Sequence, residues 1–282
     1  MKSDITAQHI EDAIDKGEMV LHYQPLSNLT SGEITGLEAL VRWHSPKLGQ
    51  VDTAHFIKIL EHSDISLIAK FHRWVTITAF EQILTWQEVG ISLTVYLNFS
   101  ARYLQERDCL NLIKSLVQDY KISPSWFGIE VTESHSIQDM KAIQFVLTNL
   151  HSMGIMISLD DFCTSYCSLE YLSDLPAHTI KIDRSFTQGL TCDNFQRQNS
   201  INIIVESIIE MAFKLGIEVV AEGVETLKQL EKVTFLGFDS YQGYLLCPPV
   251  PVELITQMIL RERSRRDSYT SSSESMWQAI AA

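Results

Sequence analysis

Eight short apolar runs, most of them carrying an acid, an amide or a lysine near the C-terminal end, constrain this chain more than any other feature. The runs are MVLHYQPL (19–26), ITGLEALVRW (34–43), SLTVYLNFS (92–100), FGIEVTE (127–133), IMISLDDF (155–162), TIKIDRS (179–185), IEVVAEGV (217–224) and DSYQGYLL (239–246). They are short and rich in β-branched residues, the pattern of strands buried on both faces. Stretches with helical spacing alternate with them, clearest over 53–89, 136–152 and 198–215. Eight strands interleaved with helices over about 250 residues have the size and rhythm of a (β/α)8 barrel. Only SNLTSGE joins the first run to the second, too short for a parallel crossover, so that pair is expected to be antiparallel. The fold class predicted is therefore α/β, a modified TIM-like (β/α)8 barrel with one antiparallel strand. A doubly wound open sheet is the alternative, but no glycine-rich phosphate loop follows an early strand.

Composition narrows the partners. The chain has 282 residues, a formal net charge of −13 and a pI near 5.1, which argues against non-specific binding to nucleic acid or anionic membranes. The start MKSDITAQHI lacks a continuous apolar stretch, and no segment approaches the roughly 20 apolar residues that span a bilayer. Five cysteines are too few for a disulfide framework, and the expectation is a cytoplasmic protein with reduced thiols. The polar, serine-rich segment after residue 260 lacks apolar periodicity. Residues 1–260 are expected to fold as one domain and 261–282 to form a disordered tail.

The strand ends carry the chemistry. In order they present Glu38, Asn98, Glu130 with Glu133, Asp160 with Asp161, Lys181 with Asp183, Glu222 with Glu225, and Gln242. A barrel gathers such ends around one mouth, where active sites of this architecture lie. Glu38 and Arg42 share parity on their strand, as Lys181 and Asp183 do on theirs. Charges inside apolar strands are costly unless paired or bound to metal, so the repeated pattern points to function. Carboxylates with one amide oxygen form a hard-oxygen set suited to Mg2+ or Mn2+. Adjacent aspartates can serve two ions from one strand end, an arrangement that suits in-line displacement at phosphorus. Lys181 and Arg42 then have roles on phosphate oxygens or on a water.

With these residues in place the chain resembles the EAL-domain cyclic-di-GMP phosphodiesterases from about residue 8 to 255. The resemblance rests on HYQPL (22–26), GLEALVRW (36–43), NFSARYL (98–104), IEVTES (129–134), LDDF (159–162), IKIDRSF (180–186), VVAEGVET (219–226) and YQGYLL (241–246). It implies a modified (β/α)8 barrel that opens cyclic di-GMP to linear pGpG with two Mg2+ or Mn2+ ions. By motif match Glu38, Asn98, Glu130 and Asp160 would be metal ligands, with Asp161 serving the second ion. Lys181 would hold the water or a phosphate oxygen, and Glu222 would be general base or second-ion ligand. Arg42 would grip a phosphate, Gln24 and Gln242 would line the substrate or metal site, and Glu133, with Glu225, would support the loop after the aspartates. The resemblance also implies a homodimer through the barrel's later helices. Control by expression, by dimerisation or by a separate protein regulator is expected, because no sensor domain is recognised in the chain.

The sequence departs from the family pattern where the family writes Asp-Asp-Phe-Gly-Thr-Gly-Tyr-Ser. Here Cys163 and Ser165 replace the two glycines and Cys167 replaces the serine. If those glycines need φ > 0, each replacement costs about 1–2 kcal/mol or shifts the loop. Thr53 stands where the family commonly has proline, a change expected only to relax a helix start. The competing readings are a catalytically impaired domain that binds cyclic di-GMP as a receptor or interaction module, and, more distantly, an enolase-type Mg2+ enzyme using Lys181 as base. A complete ligand set favours the phosphodiesterase. Two reduced thiols are favoured over a Cys163–Cys167 disulfide, and the histidines, among them His22, His44 and His72, are read as surface or packing residues.

Overall fold

A computed structural model describes residues 5–132, 139–163, 172 and 174–265. β1 (Met19–Asn28) and β2 (Ile34–Ser45) pair antiparallel, with Met19 opposite Trp43 and Gln24 opposite Glu38. A short β3 (Gly49–Val51) folds back on the end of β2. From β2 the sheet continues in parallel through β4 (Thr94–Phe99), β5 (Phe127–Thr132), β6 (Met156–Phe162), β7 (Thr179–Ile182), β8 (Glu218–Ala221) and β9 (Ser240–Tyr241). β9 closes on β1 antiparallel, and β10 (Val250–Pro251) adds to β1 from outside the ring. The result is a closed eight-strand α/β barrel in which β1 alone runs against its neighbours.

Several boundaries differ from the sequence reading, each for a local reason. The helical stretch 53–89 is two helices, Thr53–Glu61 and Ile65–Glu88, because the chain leaves the helix at His62 and restarts with extended backbone at Asp64. The first of them starts at Thr53 without a proline because the Asp52 side chain accepts from His55 N at 2.8 Å. The helix expected from 198 begins at Phe195, where Asn194 caps Arg197 N. β7 ends at Ile182, so Asp183 is the cap of the helix Arg184–Gly189 and its side chain accepts from Ser185 N. β8 and β9 are shorter than their apolar runs, which leaves Glu222 and Gln242 just past the strand ends. β3 and β10 were not expected. A helix covers 252–265, so residues 261–265, assigned to the tail by sequence, continue that helix; the rest of the tail lies outside the described residues. Among the described residues no helix is long and apolar enough to cross a membrane.

Alternation along the strands divides the molecule into two packings. Leu37, Val95, Leu97, Ile129, Ile157 and Ile180 are buried in one apolar core with the helices, whose contribution includes Ile68, Phe80 and Ile143. The opposite parity points into the barrel. Low in the interior, the Tyr96 ring lies across Gly36 and Gly128, and a Cβ built on Gly128 would overlap that ring. The two glycines thus make room for one aromatic plug beneath the polar layer that forms the mouth.

This packing predicts that Gly128→Ala destabilises the fold by about 1–3 kcal/mol, the usual cost of overfilling a packed interior. Urea unfolding measures it. An unchanged midpoint would show that Tyr96 does not fill the space beside Gly128.

Candidate active site

One polar residue from each barrel strand, or from just beyond it, meets in a single layer. They are Gln24 on β1, Glu38 on β2, Asn98 on β4, Glu130 on β5, Asp160 on β6 and Lys181 on β7, with Glu222 after β8 and Gln242 after β9. The period of two brings this about, since each of the first six shares parity with inward neighbours such as Gly36, Tyr96 and Gly128. At the centre, the Lys181 ammonium is 2.8 Å from Glu222, 3.0 Å from Glu130, 3.3 Å from Glu38 and 3.4 Å from Asp160. Lys181 is 1% exposed and Glu130 0%. Amides fix the rest: Asn98 Nδ2 and Gln242 Nε2 each donate to Glu38 at 2.7 Å. Gln242 Nε2 also donates to Gln24 Oε1, and Gln24 Nε2 donates to the Cys247 carbonyl.

One ammonium among four carboxylates leaves an excess of negative charge in a dry place, and the acids respond unequally. Burial pushes Glu130 well above the usual carboxylate range, with Glu38 reinforcing it. Burial likewise raises Glu222 to about 8, against the opposing pull of Lys181. Burial also pushes on Glu38, but Lys181 and the hydrogen bonds from Gln242 and Asn98 outweigh it and hold that carboxyl below its ordinary value. Lys181 loses solvation, yet Asp160, Glu130, Glu222 and Glu38 together lift its pKa well above that of a free lysine.

The two adjacent aspartates share the mouth because β6 breaks its own alternation. Its register to β7 steps from Leu159 opposite Ile180 to Phe162 opposite Ile182, one extra residue on β6. Asp161 takes φ +52° and Cys163 φ +70°, while Phe162 between them is buried at 1% exposure and pins the turn. Aspartate tolerates this left-handed region better than most residues, whereas a cysteine there carries the strain expected for a lost glycine. Ser165, Cys167 and Glu133 lie outside the described residues.

This bend brings carboxylate oxygens of Asp160, Asp161 and Glu222 within 4.8 Å of one another, a group that can hold a metal ion. Burial raises Asp161 to about 6, with Asp160 adding to the effect, and such a carboxyl gives up its proton readily to a cation. Glu130 Oε1 is buried with no hydrogen-bond donor among the described residues, and Asp160 Oδ1, likewise without a hydrogen bond, meets the Lys181 ammonium at 3.4 Å. Unused acceptors on hard ligands fit divalent cations of the Mg2+ or Mn2+ kind.

The remaining residues expected from sequence lie around this layer. Arg42 shares the face of Glu38, is half-buried, and among the described residues donates only to its neighbour's carbonyl, Val41 O. Glu225 lines the same cavity of about 310 Å3 as Glu38, Asp161 and Glu222, with its backbone N–H held by Gln229 Oε1. Gln24 reaches that cavity while bracing Gln242. His72 is a packing residue, stacked on Phe99 and Tyr103. Sequence reasoning missed Arg184 and Tyr244, which also line the cavity. It also missed a more apolar cavity of about 400 Å3 beside Asn98, lined by Leu40, Thr53, Ile57 and Glu61. Arg184 follows the strand-end signal of Lys181 by three residues and could have been found there. Glu61 lies on a helix with no such signal. A larger cavity of about 1020 Å3 sits against the helix 252–265, away from the carboxylates, and its lining of Leu254, Met258 and Leu260 brings no such cluster together.

A closed α/β barrel with a group of carboxylates at its C-terminal mouth that could hold a metal ion defines a class of barrel domains with an acidic site. Residues 7–249 match the EAL domain, and the chain belongs to that family. It is 36% identical over 245 residues to the bifunctional diguanylate cyclase/cyclic di-GMP phosphodiesterase MucR of Pseudomonas aeruginosa, covering 86% of this chain and 35% of that protein. It is 33% identical over 243 residues to the cyclic di-GMP phosphodiesterase PdeR of Escherichia coli, covering 86% and 36%. The chain thus spans about a third of the length of these curated relatives. Among solved structures, a MucR phosphodiesterase in complex with c-di-GMP superposes with a TM-score of 0.80 at 35% identity, covering 88% of this chain and 98% of that one.

The pKa values fix a pH dependence. Glu222 and Asp161, at about 8 and about 6, keep protons in the folded, ion-free protein that the unfolded chain releases near pH 4, roughly. Their contribution to stability is full below that pH and is lost as pH rises through 6 and then 8. With EDTA present, thermal unfolding is therefore expected at lower temperature near pH 8.5 than near pH 5.5, roughly, and Mn2+ is expected to reverse more of the loss at the higher pH. An ion effect independent of pH would contradict the ligand assignment. A second outcome concerns the bend: Cys163→Gly is expected to remove about 1–2 kcal/mol of strain and to lower the Mn2+ concentration needed for half-maximal thermal protection. No change in either would show that the cysteine fits its turn.

Proposed function

We propose that this domain hydrolyses cyclic di-GMP to linear pGpG with two Mg2+ or Mn2+ ions at the barrel mouth. The observation that carries the reading is the complete polar layer, one residue from each strand, on a family fold whose relatives include proteins named for this activity. Bound ions would polarise the phosphodiester, lower the pKa of the attacking water and neutralise charge on the leaving oxygen. Glu38, Asn98, Glu130 and Asp160 would hold one ion. Asp161 would serve the other, and the grouping of Glu222 with both aspartates favours its role as a ligand there over that of general base.

The protein's own groups would do the rest. Lys181, held between four carboxylates, would donate to a phosphate oxygen or to the water, and its raised pKa keeps it charged throughout the neutral range. Arg42 would grip phosphate with a guanidinium that no carboxylate occupies among the described residues. Gln242 and Gln24 would hold Glu38 in place from the β1 side. The apolar cavity beside Asn98 is large enough for a flat base, with the Glu61 carboxylate available to a guanine N–H. Ions at the mouth also explain how a chain of net charge −13 accepts a dianionic ligand.

A second reading, a cyclic-di-GMP receptor without activity, draws on one observation, the non-glycine residue at φ +70° beside the aspartates. As part of the proposal the domain works in the cytoplasm under a separate protein regulator and pairs as a homodimer. Exposed Phe195, Ile203 and Ile204 on the helix Phe195–Leu215 support that pairing.

Purified protein incubated with cyclic di-GMP and Mg2+ or Mn2+ is expected to yield pGpG, separable by anion-exchange chromatography. EDTA or Glu38→Ala should lower the rate at least about 100-fold, in keeping with loss of a metal site. Tight binding without product in either metal would overturn the enzyme in favour of the receptor.

A further inference from the structure

Two arginines follow strands on opposite sides of the barrel ring. Arg42 stands on β2, and Arg184 follows β7 directly. In the ring β1-β2-β4-β5-β6-β7-β8-β9, β2 and β7 are four strands apart in either direction, which places them on opposite sides. Both residues lie beyond the carboxylate layer, four residues after Glu38 and three after Lys181.

Arg184 is exposed, and it lines the 310 Å3 cavity together with Asp161, Asp183, Glu222 and Glu225. A guanidinium among so many carboxylates ordinarily pairs with one of them. Here it forms neither an ion pair nor a side-chain hydrogen bond among the described residues; the Asp183 side chain is occupied in capping Ser185 N instead. Its stem is held in place. Gly223, at φ +63°, lets the Arg184 Cβ lie against the backbone next to Glu222, where any added Cβ would collide with it. The glycine thereby fixes the arginine relative to one of the acids that can hold a cation.

We infer that Arg184 binds the phosphodiester being cut, on the side of Asp160, Asp161 and Glu222, while Arg42 across the mouth holds the second phosphate. The inference rests on the functional reading above, and the argument is one of symmetry and charge. A cyclic dinucleotide carries two phosphodiesters on opposite sides of its ring. On each side the mouth offers a guanidinium that pairs with no carboxylate among the described residues, and the group formed by Asp160, Asp161 and Glu222 lies on the side of Arg184. A cation-assisted cut needs charge neutralised on the non-bridging oxygens, which a planar guanidinium supplies.

Two substrates separate the two arginines: cyclic di-GMP, and bis(p-nitrophenyl) phosphate, which has a single phosphodiester and no second phosphate for Arg42 to hold. Arg184→Gln is expected to lower kcat/KM at least about tenfold on both substrates, the scale of one lost charge-assisted hydrogen bond. Arg184→Lys should recover part of the loss. Arg42→Gln should show its loss on cyclic di-GMP alone. Thermal stability and Mn2+ protection of Arg184→Gln should match those of the unmodified protein, which a structural role would not allow. An Arg184→Gln protein that is unimpaired, or impaired on cyclic di-GMP only, overturns the assignment. If the unmodified protein cleaves bis(p-nitrophenyl) phosphate but neither binds nor cleaves cyclic di-GMP, the functional reading fails instead, and the Arg184→Gln rate on the simple diester still decides whether Arg184 serves the reacting phosphate.

Discussion

The ammonium of Lys181, buried among Glu38, Glu130, Asp160 and Glu222, is the interaction on which the mouth depends. Four acids cannot all be ionised in a dry barrel around one cation, and the structure shows the consequence in the raised carboxyls of Glu130 and Glu222. The site is held near an electrostatic balance point. Protons and the lysine share these oxygens, and under the proposed function divalent cations would take their place.

The barrel imposes this crowding through geometry. Parallel strands with inward parity place one side chain from each at nearly the same height, and the Tyr96 plug over Gly36 and Gly128 closes the space beneath. The bend at Asp160 and Asp161 breaks the alternation of β6, and it supplies a second carboxylate from a strand that would otherwise give one. Asp161 and Cys163 adopt left-handed backbone on either side of a buried phenylalanine. The position that turns the second carboxylate toward the cation site is therefore also the strained one.

Much of this was legible in the sequence because strand periodicity and burial energetics act locally. An acid or lysine inside an apolar run has few inexpensive fates, so Glu38, Glu130, Lys181 and Asp160 announced themselves, and the short first connection gave the antiparallel strand. Short-range competition was harder to read. His62 to Asp64 interrupts a helix whose apolar spacing continues across it, and Asp183 leaves a strand to cap a helix, both through single side-chain or backbone choices that periodicity does not weigh. Arg184 lay within reach of the strand-end signal of Lys181, but the close approach of Gly223 that fixes it at the mouth is a tertiary contact that no local pattern displays. The bracing of Glu38 by Gln242 and Gln24 joins residues 204 and 218 positions apart, beyond any local pattern.

The central claim is that the carboxylates around Lys181 are a divalent-cation site serving a phosphodiester. Crystals of the protein grown with Mn2+ and cyclic di-GMP, read by anomalous scattering, test it most directly. The account predicts manganese peaks among Asp160, Asp161 and Glu222 and beside Glu38 and Glu130, with Lys181 turned toward a phosphate oxygen or a water. Lys181 still bridging four carboxylates, with no manganese at the mouth, would contradict it.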